Sequence, residues 1–352
     1  MPEARRPAED LLNALGGKRR VVILTHDNPD PDSIAAGMGL HAIVALRLRA
    51  QPTLAFGGII GRAENRALVD TLDVRLRHAG EICFPRYDGV ALVDTQPGAG
   101  NHSLPPDVTP DVVIDHHPRQ PATDEVPFAD VRPRYGASST LLVEYMRELD
   151  LPIDSRLATA LFYGIKVDTQ DLGRHASPAD VDAYVHLFPL LDKGLLSKIE
   201  YPSLPRQYFQ TFHAALERAH LYDNVVVTAL DEVENPNAVA EVADLLLRLE
   251  GAAWSICLGC YDGQLFISVR TADPDANAHA LVRRAVGALG SAGGHGMLAA
   301  GRIAVDGFSP VERRHLRDAV ARRFLRALGV DDKAPEALLR AGEPRHVSPK
   351  LA

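Results

Sequence analysis

The sequence contains few cysteines and no long apolar run. Its 352 residues include three cysteines, Cys83, Cys257 and Cys260, and such a small odd number provides no disulfide framework. No segment approaches the roughly 20 consecutive apolar residues that a transmembrane helix needs, and the polar, arginine-containing N-terminus lacks the apolar core of a secretory signal. We therefore expect a cytoplasmic protein in a reducing compartment, with no membrane partner.

An excess of basic charge is also absent, because the formal net charge is −8. Proteins that hold long nucleic acids usually carry a basic surface, since neutralising phosphates drives that binding. The acidic total argues against tight binding of long duplexes. It is compatible with a small phosphorylated substrate, because bound cations can offset a carboxylate-rich site.

Cys257 and Cys260 form a C-x-x-C pattern inside an apolar, strand-like segment. A structural zinc site needs a second pair of cysteines or histidines at suitable spacing, and none accompanies this one. We therefore interpret both cysteines as buried core residues.

The first half of the chain alternates β-branched apolar segments with helical patterns. Strands are predicted at 21–25, 52–56, 89–94 and 111–115, with helices between and after them. This alternation indicates an α/β domain whose mostly parallel sheet is flanked by helices. A smaller α/β unit follows, and its glycine-rich segment near residue 293 is predicted to be a turn.

These patterns divide the chain into four parts. We assign residues 1–190 to a metal-binding catalytic domain and residues 191–221 to a helical linker. Residues 222–330 form the predicted substrate-binding domain, and residues 331–352 a flexible tail.

Acidic and histidine residues cluster around the ends of the apolar segments in the first domain. The loop after the first predicted strand, HDNPDPDS, taken by itself fits either a ligand site or a capped turn. Ligands of open α/β sheets bind beyond the carboxyl ends of the strands, so residues from several such ends should meet there. The set consists of His26, Asp30, Asp32, Asp94, Asp115, His116, His117 and Asp168.

Carboxylates and imidazoles together suit Mn²⁺, Mg²⁺, Co²⁺ or Fe²⁺. So many acids cannot all stay ionised side by side unless cations lie among them. The sequence therefore predicts a divalent-metal centre at this edge of the sheet.

The tripeptide Asp115-His116-His117, with the other three motifs in the same order, resembles the DHH phosphoesterases. That family includes RecJ-like exonucleases, nanoRNA/pAp phosphatases, cyclic-dinucleotide phosphodiesterases and family II pyrophosphatases. The segment AGGHGMLAAG, residues 292–301, is similar to the glycine-rich element of the family's C-terminal DHHA1 domain. The resemblance covers roughly residues 18–328 and implies an N-terminal DHH domain followed by a smaller α/β DHHA1 domain.

The resemblance also implies a role for each residue of the centre. His26 and Asp30 would bind one divalent cation, Mn²⁺ in the first instance with Mg²⁺ or Co²⁺ as alternatives. The second cation would be held by Asp32, His116 and Asp168, and Asp94 would bridge the two. Asp115 would orient the histidines, and His117 would face the substrate phosphate as a positioning group or an acid.

Further residues are candidates for contact with the substrate. Arg offers a planar fork for phosphate oxygens, and backbone amides of a glycine-rich turn can hold an anion. Ser138 and Ser139, at a predicted helix start, either cap that helix or contact substrate; Asn65 lies at a similar helix start. The predicted substrate-binding residues are Arg270, Gly293, Gly294, His295, Ser138 and Ser139.

The sequence departs from the family pattern at two positions. Ala292 stands where the glycine-rich element begins with glycine, and Gln170 follows Thr169 where many oligoribonuclease relatives carry glycine. The second difference affects the assignment to a subfamily rather than the metal centre.

The function that fits best is two-metal-dependent hydrolysis of short nucleotide phosphoesters such as nanoRNA, linear dinucleotides or pAp. Cyclic-dinucleotide hydrolysis uses the same core and is the first alternative. Pyrophosphate or polyphosphate hydrolysis is disfavoured by the DHHA1-like element, and a non-catalytic nucleotide-binding module by the complete ligand set. The sequence leaves open the preferred substrate, the native metal, and whether the chain forms a homodimer.

Overall fold

The computed structural model describes residues 7–339, apart from the side chain of His295, and divides into two compact units after Ser203. The segment predicted as a helical linker contains two helices, one on each side of this division. Most of the predicted tail, residues 340–352, lies outside the described residues. Between residues 7 and 339, no helix combines the length and apolar character that crossing a bilayer requires.

The first unit is built on a six-stranded parallel sheet in the order β3-β2-β1-β4-β5-β6. The strands are β1 (Arg20–Leu24), β2 (Gln51–Phe56), β3 (Leu76–His78), β4 (Gly89–Val93), β5 (Val112–Asp115) and β6 (Phe128–Val131). The strand order reverses between β1 and β4, and such a reversal opens a crevice at the carboxyl ends of the strands.

Within the described residues, seven α-helices accompany this sheet. They are α1 (Pro7–Ala14), α2 (Pro31–Ile43), α3 (Ala63–Thr71), α4 (Ser138–Glu148), α5 (Ser155–Asp168), α6 (Pro178–Leu187) and α7 (Lys193–Glu200). Along β1, Val21 and Ile23 enter the core on one face, while Val22 and Leu24 enter the core on the other. A strand covered on both faces must be apolar throughout, which explains the uninterrupted apolar segment in the sequence.

The second unit contains a seven-stranded mixed sheet in the order β11-β12-β10-β9-β8-β7-β13. The strands are β7 (His220–Tyr222), β8 (Val225–Glu232), β9 (Trp254–Tyr261), β10 (Gln264–Thr271), β11 (Gly290–His295), β12 (Leu298–Ala304) and β13 (Glu336–Ala337). Its helices are α8 (Arg206–Glu217), α9 (Asn237–Leu246), α10 (Ala278–Val286) and α11 (Pro310–Leu328). Residues of α10 and α11 pack on one face of the sheet, and residues of α8 and α9 on the other. The predicted fold class, a parallel α/β domain followed by a smaller α/β unit, is confirmed.

Cys257 and Cys260 belong to the cores on opposite faces of this second sheet, and both are buried. Burial raises the pKa of the Cys257 thiol. The interpretation of this pair as core residues is confirmed.

The glycine-rich segment was expected to be a turn, and that expectation is wrong. It forms the edge strand β11, which pairs antiparallel with β12. A Cβ atom at Gly290 would lie 1.9 Å from the carbonyl oxygen of Arg302, and one at Gly294 would lie 2.4 Å from that of Leu298. The glycines therefore permit a close strand approach that a turn-like composition concealed.

Candidate metal centre

The loop from Thr25 to Asp30 connects β1 to α2 at the crevice where the strand order reverses. Asp30 is the N-cap of α2, and its Oδ1 accepts a hydrogen bond of 3.0 Å from the Ser33 amide. Its other oxygen, Oδ2, lies 3.5 Å from His26 Nε2. The capped turn is therefore present, and the second oxygen of the same carboxylate faces His26, as the ligand-site alternative requires.

Polar contacts from other segments hold this loop. Asn28 adopts φ +57°, its amide donates to the Gly57 carbonyl, and its side chain accepts from the Ile59 amide. Asn65, at the start of α3, is buried and donates a 3.0 Å hydrogen bond to the Pro29 carbonyl. Asn65 thus supports the loop from behind, a role that its position at a helix start did not reveal.

Two histidines each lie between two aspartates. His26 Nε2 is 3.5 Å from both Asp30 Oδ2 and Asp94 Oδ2. His116 Nε2 is 3.5 Å from both Asp94 Oδ1 and Asp168 Oδ2. These separations exceed hydrogen-bond length, but atoms bound about 2.0–2.2 Å from a shared ion lie roughly 3.0–3.5 Å apart.

The potential ligand atoms form overlapping groups, within each of which they lie no more than 4.8 Å apart. The groups are His26, Asp30 and Asp94; Asp32, His116 and Asp168; and Asp94, His116 and His117. The two oxygens of Asp94 face different histidines, so this carboxylate lies between the first two groups. The structure therefore brings together all six residues predicted as metal ligands, in two groups suited to two ions.

The hydrogen bonds of the histidines fix which nitrogen faces the centre. His26 Nδ1 lies 2.9 Å from the Asp27 carbonyl, and His116 Nδ1 lies 3.2 Å from the Tyr135 carbonyl. A carbonyl only accepts, so in the neutral form of each ring Nδ1 carries the proton and Nε2 presents a lone pair. This is the tautomer that a metal ligand requires.

Two polar atoms of the centre are buried without a hydrogen-bond partner among the described residues, Asp94 Oδ2 and His116 Nε2. Leaving such atoms unsatisfied costs about 1–3 kcal/mol each. A divalent cation would satisfy both, so the donor set fits a metal.

In the absence of a cation, each carboxylate of the centre also disfavours the ionised form of its neighbours. Burial, followed by the charge of Asp94, raises the pKa of Asp32 to about 7. Burial, together with the charges of Asp30, Asp32 and Asp94, raises the pKa of Asp168 well above its ordinary value. Cations among these groups would remove that repulsion.

The first turn of α4 holds two of the carboxylates. The amides of Ser138 and Ser139 donate hydrogen bonds of 2.6 and 2.8 Å to the two oxygens of Asp32. The Ser138 hydroxyl donates a 2.8 Å bond to Asp94 Oδ1. Both serines are fully buried, so the structure places them behind the carboxylates, whereas the sequence had suggested contact with substrate.

Asp115 organises the two histidines that follow it. Its Oδ1 accepts hydrogen bonds from His117 Nδ1 at 2.8 Å and from the amides of His116 and His117 at 2.8 and 3.1 Å. Burial would raise the pKa of Asp115, but the hydrogen bond and charge of His117 outweigh it and lower the pKa. Burial would lower the pKa of His117, but the hydrogen bond from His117 to Asp115 and the neighbouring carboxylate charges together outweigh burial and raise the pKa to about 9.

Gln96 is a residue of this centre that sequence reasoning missed. Its buried amide nitrogen donates a 2.7 Å hydrogen bond to Asp115 Oδ2. Its oxygen accepts 2.9 Å hydrogen bonds from the Thr123 hydroxyl and the Gln120 amide. A polar residue two positions after Asp94 was the only signal in the sequence, and the partners lie 19–27 residues away.

Asp168 comes from the last turn of α5, the helix formed by the apolar segment that precedes it. A Cβ atom at Gly164, one turn earlier, would lie 2.6 Å from Ser139 Oγ and 3.0 Å from Asp32 Cα. The glycine allows α5 to approach the centre closely enough for Asp168 to reach it.

The remaining predicted substrate contacts belong to the second unit. Arg270 is buried, with its Nε 2.5 Å from Asp244 Oδ1 and its Nη1 2.8 Å from Ser268 Oγ. Gly293 and Gly294 lie in β11, and the side chain of His295 lies outside the described residues. Contact of these four residues with substrate stays a prediction.

Fold and site together define an α/β protein with a carboxylate–imidazole metal centre at the reversal point of a parallel sheet. The family model of the DHH family, N-terminal domain, matches residues 20–165, which lie in the first unit. The resemblance inferred from the motifs is confirmed.

Proteins similar to this chain include two curated relatives and a protein of known structure. An uncharacterised protein of Methanocaldococcus jannaschii is 32% identical over 90% of this chain and 66% of its own length. The cyclic-di-AMP phosphodiesterase GdpP of Geobacillus thermodenitrificans is 29% identical over 59% of this chain and 32% of its own length. The chain thus spans less than two thirds of each relative.

A crystal structure of an exopolyphosphatase-related protein from Bacteroides fragilis shares the fold. Its TM-score is 0.69 at 14% identity, and the alignment covers 91% of this chain and 97% of that chain. At this identity the likeness concerns the fold alone.

Proposed function

We propose that this protein is a two-metal-dependent phosphoesterase that hydrolyses short nucleotide phosphodiesters. The observation that carries the proposal is the position of Asp94, whose two oxygens lie 3.5 Å from histidines of two different ligand groups. A carboxylate so placed can bridge two cations. DHH family members are metal-dependent phosphoesterases, which supports the class of reaction.

We assign His26 and Asp30 to one cation and Asp32, His116 and Asp168 to the other, with Asp94 shared. Mn²⁺ is the proposed metal, with Mg²⁺ and Co²⁺ as alternatives. When bound, the ions would supply a deprotonated water nucleophile at neutral pH and charge neutralisation for the phosphoryl oxygens.

Two residues of the chain would act on the substrate phosphate, one by donating a proton or hydrogen bond and the other by orienting the donor. Asp115 fixes the ring of His117 through Nδ1, and the His117 side chain is 35% exposed, against 14% for His116. The more accessible ring is suited to donating a hydrogen bond to a phosphoryl oxygen, or a proton to the departing oxygen. His117 is therefore proposed as the catalytic acid or positioning group, and Asp115 as the residue that orients it.

The proposed substrates are linear dinucleotides, nanoRNA and pAp. The net charge of −8 supports a short substrate, because long nucleic acids are usually bound by basic surfaces. Cyclic-dinucleotide hydrolysis is the second candidate. It is supported by 29% identity to a protein named cyclic-di-AMP phosphodiesterase, over 59% of this chain.

The test is a substrate panel incubated with the purified protein and Mn²⁺: pApA, a five-nucleotide RNA, a long single-stranded RNA, pAp, cyclic di-AMP and pyrophosphate. We expect rapid AMP release from pApA and the short RNA, read by ion-pair chromatography. Preference for cyclic di-AMP would retain the chemistry and change the substrate. No turnover of any member with Mn²⁺, Mg²⁺ or Co²⁺ would refute the hydrolytic function.

A further inference from the structure

A cavity of about 420 Å³, widely open to solvent, lies in the first unit beside the C-terminal half of α5, and no proposed metal ligand lines it. Its volume falls within the range of small-molecule sites, about 300–1,000 Å³. It is lined by Glu64, Tyr163, Lys166, Val167, Gln170, Asp171, Glu200 and Tyr201.

The walls of this cavity continue into segments that carry the metal centre. Val167 directly precedes Asp168, and Glu64 directly precedes Asn65, which holds the loop of the centre through the Pro29 carbonyl. The cavity and the centre are therefore neighbouring sites that share α5 and the start of α3.

Tyr163 lines the cavity with a largely buried side chain. The residue is 6% exposed, and within the described part of the chain its hydroxyl has no hydrogen-bond partner. Burial, with the charges of Glu64 and Glu200, raises the pKa of Tyr163, so the hydroxyl remains protonated at neutral pH. The hydroxyl is reached from the cavity, so a ligand bound there can replace water as its hydrogen-bond partner.

The net negative charge of the residues that line the cavity disfavours binding of phosphate groups there. Glu64, Asp171 and Glu200 contribute three carboxylates, against the single ammonium of Lys166. The Lys166 charge is already engaged, since its Nζ lies 2.7 Å from Glu200 Oε1 and 3.9 Å from Asp171 Oδ2. Such a lining attracts hydroxyl and amino donors and repels anions.

An aromatic ring lies at the same cavity. Tyr201 is 80% exposed, so its ring faces are accessible, and aromatic faces of this kind stack on nucleobases. The cavity therefore offers a planar surface, acceptors for hydroxyl and amino groups, and one unpaired hydroxyl.

We infer that this cavity binds the nucleoside part of the substrate, with the base on Tyr201, the Tyr163 hydroxyl paired, and the ribose or amino donors on the carboxylates. The inference rests on the proposed function and narrows it. The metal centre takes the scissile phosphate, and the neighbouring site takes an uncharged nucleoside. Substrates that end in a second phosphate at this position, such as pyrophosphate, fit less well.

Binding is tested first without catalysis. Adenosine is titrated into the full-length protein in EDTA, with saturation-transfer NMR and calorimetry as readouts, and putrescine is titrated separately. We expect adenosine to bind, Tyr201→Ala to weaken it about tenfold, and Tyr163→Phe to weaken it about fivefold. Tyr201→Phe, which keeps the ring, should retain wild-type affinity, as should the control Phe209→Ala at an exposed aromatic of the second unit.

Hydrolysis is the second readout. For pApA, Tyr201→Ala should raise KM about tenfold with little change in kcat, whereas methyl p-nitrophenyl phosphate, which lacks a nucleoside, should be cut at the wild-type rate. Unchanged KM and unweakened adenosine binding would overturn the inference and leave the hydrolytic function intact. Binding of putrescine in place of adenosine would also overturn it.

The two proposals can fail separately. If adenosine binds and Tyr201→Ala weakens it, the nucleoside site is supported even when no phosphoester is hydrolysed. That combination would refute only the hydrolytic function.

Discussion

Asp94 lies between the two ligand groups and adopts a left-handed backbone conformation, φ +60°. Aspartate and asparagine tolerate this region better than most residues do. Replacement by asparagine therefore preserves size and backbone and removes only the charge that would bridge two cations.

We predict that Asp94→Asn abolishes binding of at least one Mn²⁺ and lowers kcat roughly a thousandfold, equivalent to about 4 kcal/mol. Calorimetric metal titration and the pApA assay measure the two effects. Asp124→Asn, at an exposed aspartate paired with Arg119, serves as the control and should match wild type. Two bound ions and near-normal turnover in Asp94→Asn would contradict the bridging role.

Gln96 connects the 120–123 segment to Asp115, and through it to His117. Loss of such an outer contact to a metal site typically costs 10–100-fold. We predict that Gln96→Ala lowers kcat about tenfold or more while the number of bound Mn²⁺ ions and the KM stay near wild type.

The matched control is Gln120→Ala, because Gln120 donates to Gln96 through its backbone amide, which the substitution retains. Gln96→Glu should be more damaging than Gln96→Ala, since it places a second carboxylate beside Asp115. If Gln96→Ala only lowers the melting temperature and leaves kcat unchanged, Gln96 is a structural residue and does not position His117.

At the scale of elements, the turn that follows α5 has three consecutive non-glycine residues with positive φ. Gln170, Asp171 and Leu172 have φ of +48°, +59° and +66°. Hydrogen bonds hold the turn, including Leu172 N to Thr169 Oγ1 at 3.0 Å and Asp171 N to Lys166 O at 2.7 Å. Glycine adopts a positive φ of this kind without strain, so the conformation at position 170 suits glycine better than glutamine.

We predict that Gln170→Gly stabilises the first unit by about 0.5–1 kcal/mol. Relief of left-handed strain, about 1–2 kcal/mol, exceeds the entropic cost of glycine, about 0.5–1 kcal/mol. Denaturant unfolding provides the measurement, and Gln170→Asn should fall between glycine and glutamine. A loss of stability in Gln170→Gly would show that contacts of the Gln170 side chain outweigh the backbone strain.

At the scale of the whole molecule, the centre makes stability depend on pH and metal. Asp32, with its pKa raised from 3.8 to about 7, and His117, raised from 6.5 to about 9, hold protons more tightly in the folded state. Asp168 and His26 are shifted in the same direction. Their stabilisation is complete below the unfolded pKa values and is lost as pH rises through the folded ones.

We therefore predict that the melting temperature of the first unit, in EDTA, falls between about pH 5 and pH 8. Asp30 and Asp115, whose pKa values are lowered, change stability mainly below that window. With saturating Mn²⁺ the trend should reverse, since metal binding requires deprotonated ligands and strengthens as pH rises.

Scanning calorimetry measures both trends. The single tryptophan, Trp254, lies in β9 of the second unit, so its fluorescence follows that unit as an internal control. A metal-free melting temperature that rises steadily from pH 5 to pH 8 would contradict the charge balance described for the centre.

Much of the fold and the metal centre was predictable because those signals are local. The apolar composition of β1 reflects burial on both faces, and the acids and histidines follow apolar segments in an order that matches the DHH motifs. The motifs give the chemical types of the potential ligands. The alternation of strands and helices predicts that residues after several strands meet at one edge of a parallel sheet.

The tertiary structure decided which residues support the ligands. Ser138 bonds to Asp32 across 106 residues of sequence, and Asn65 reaches Pro29 across 36. Arg270 is paired with Asp244 inside the second unit. Such contacts depend on how helices pack over the sheet, and no pattern local to the sequence records that packing. The sequence by itself therefore determined the chemistry of the centre, whereas packing determined its supporting hydrogen bonds and the cavity beside it.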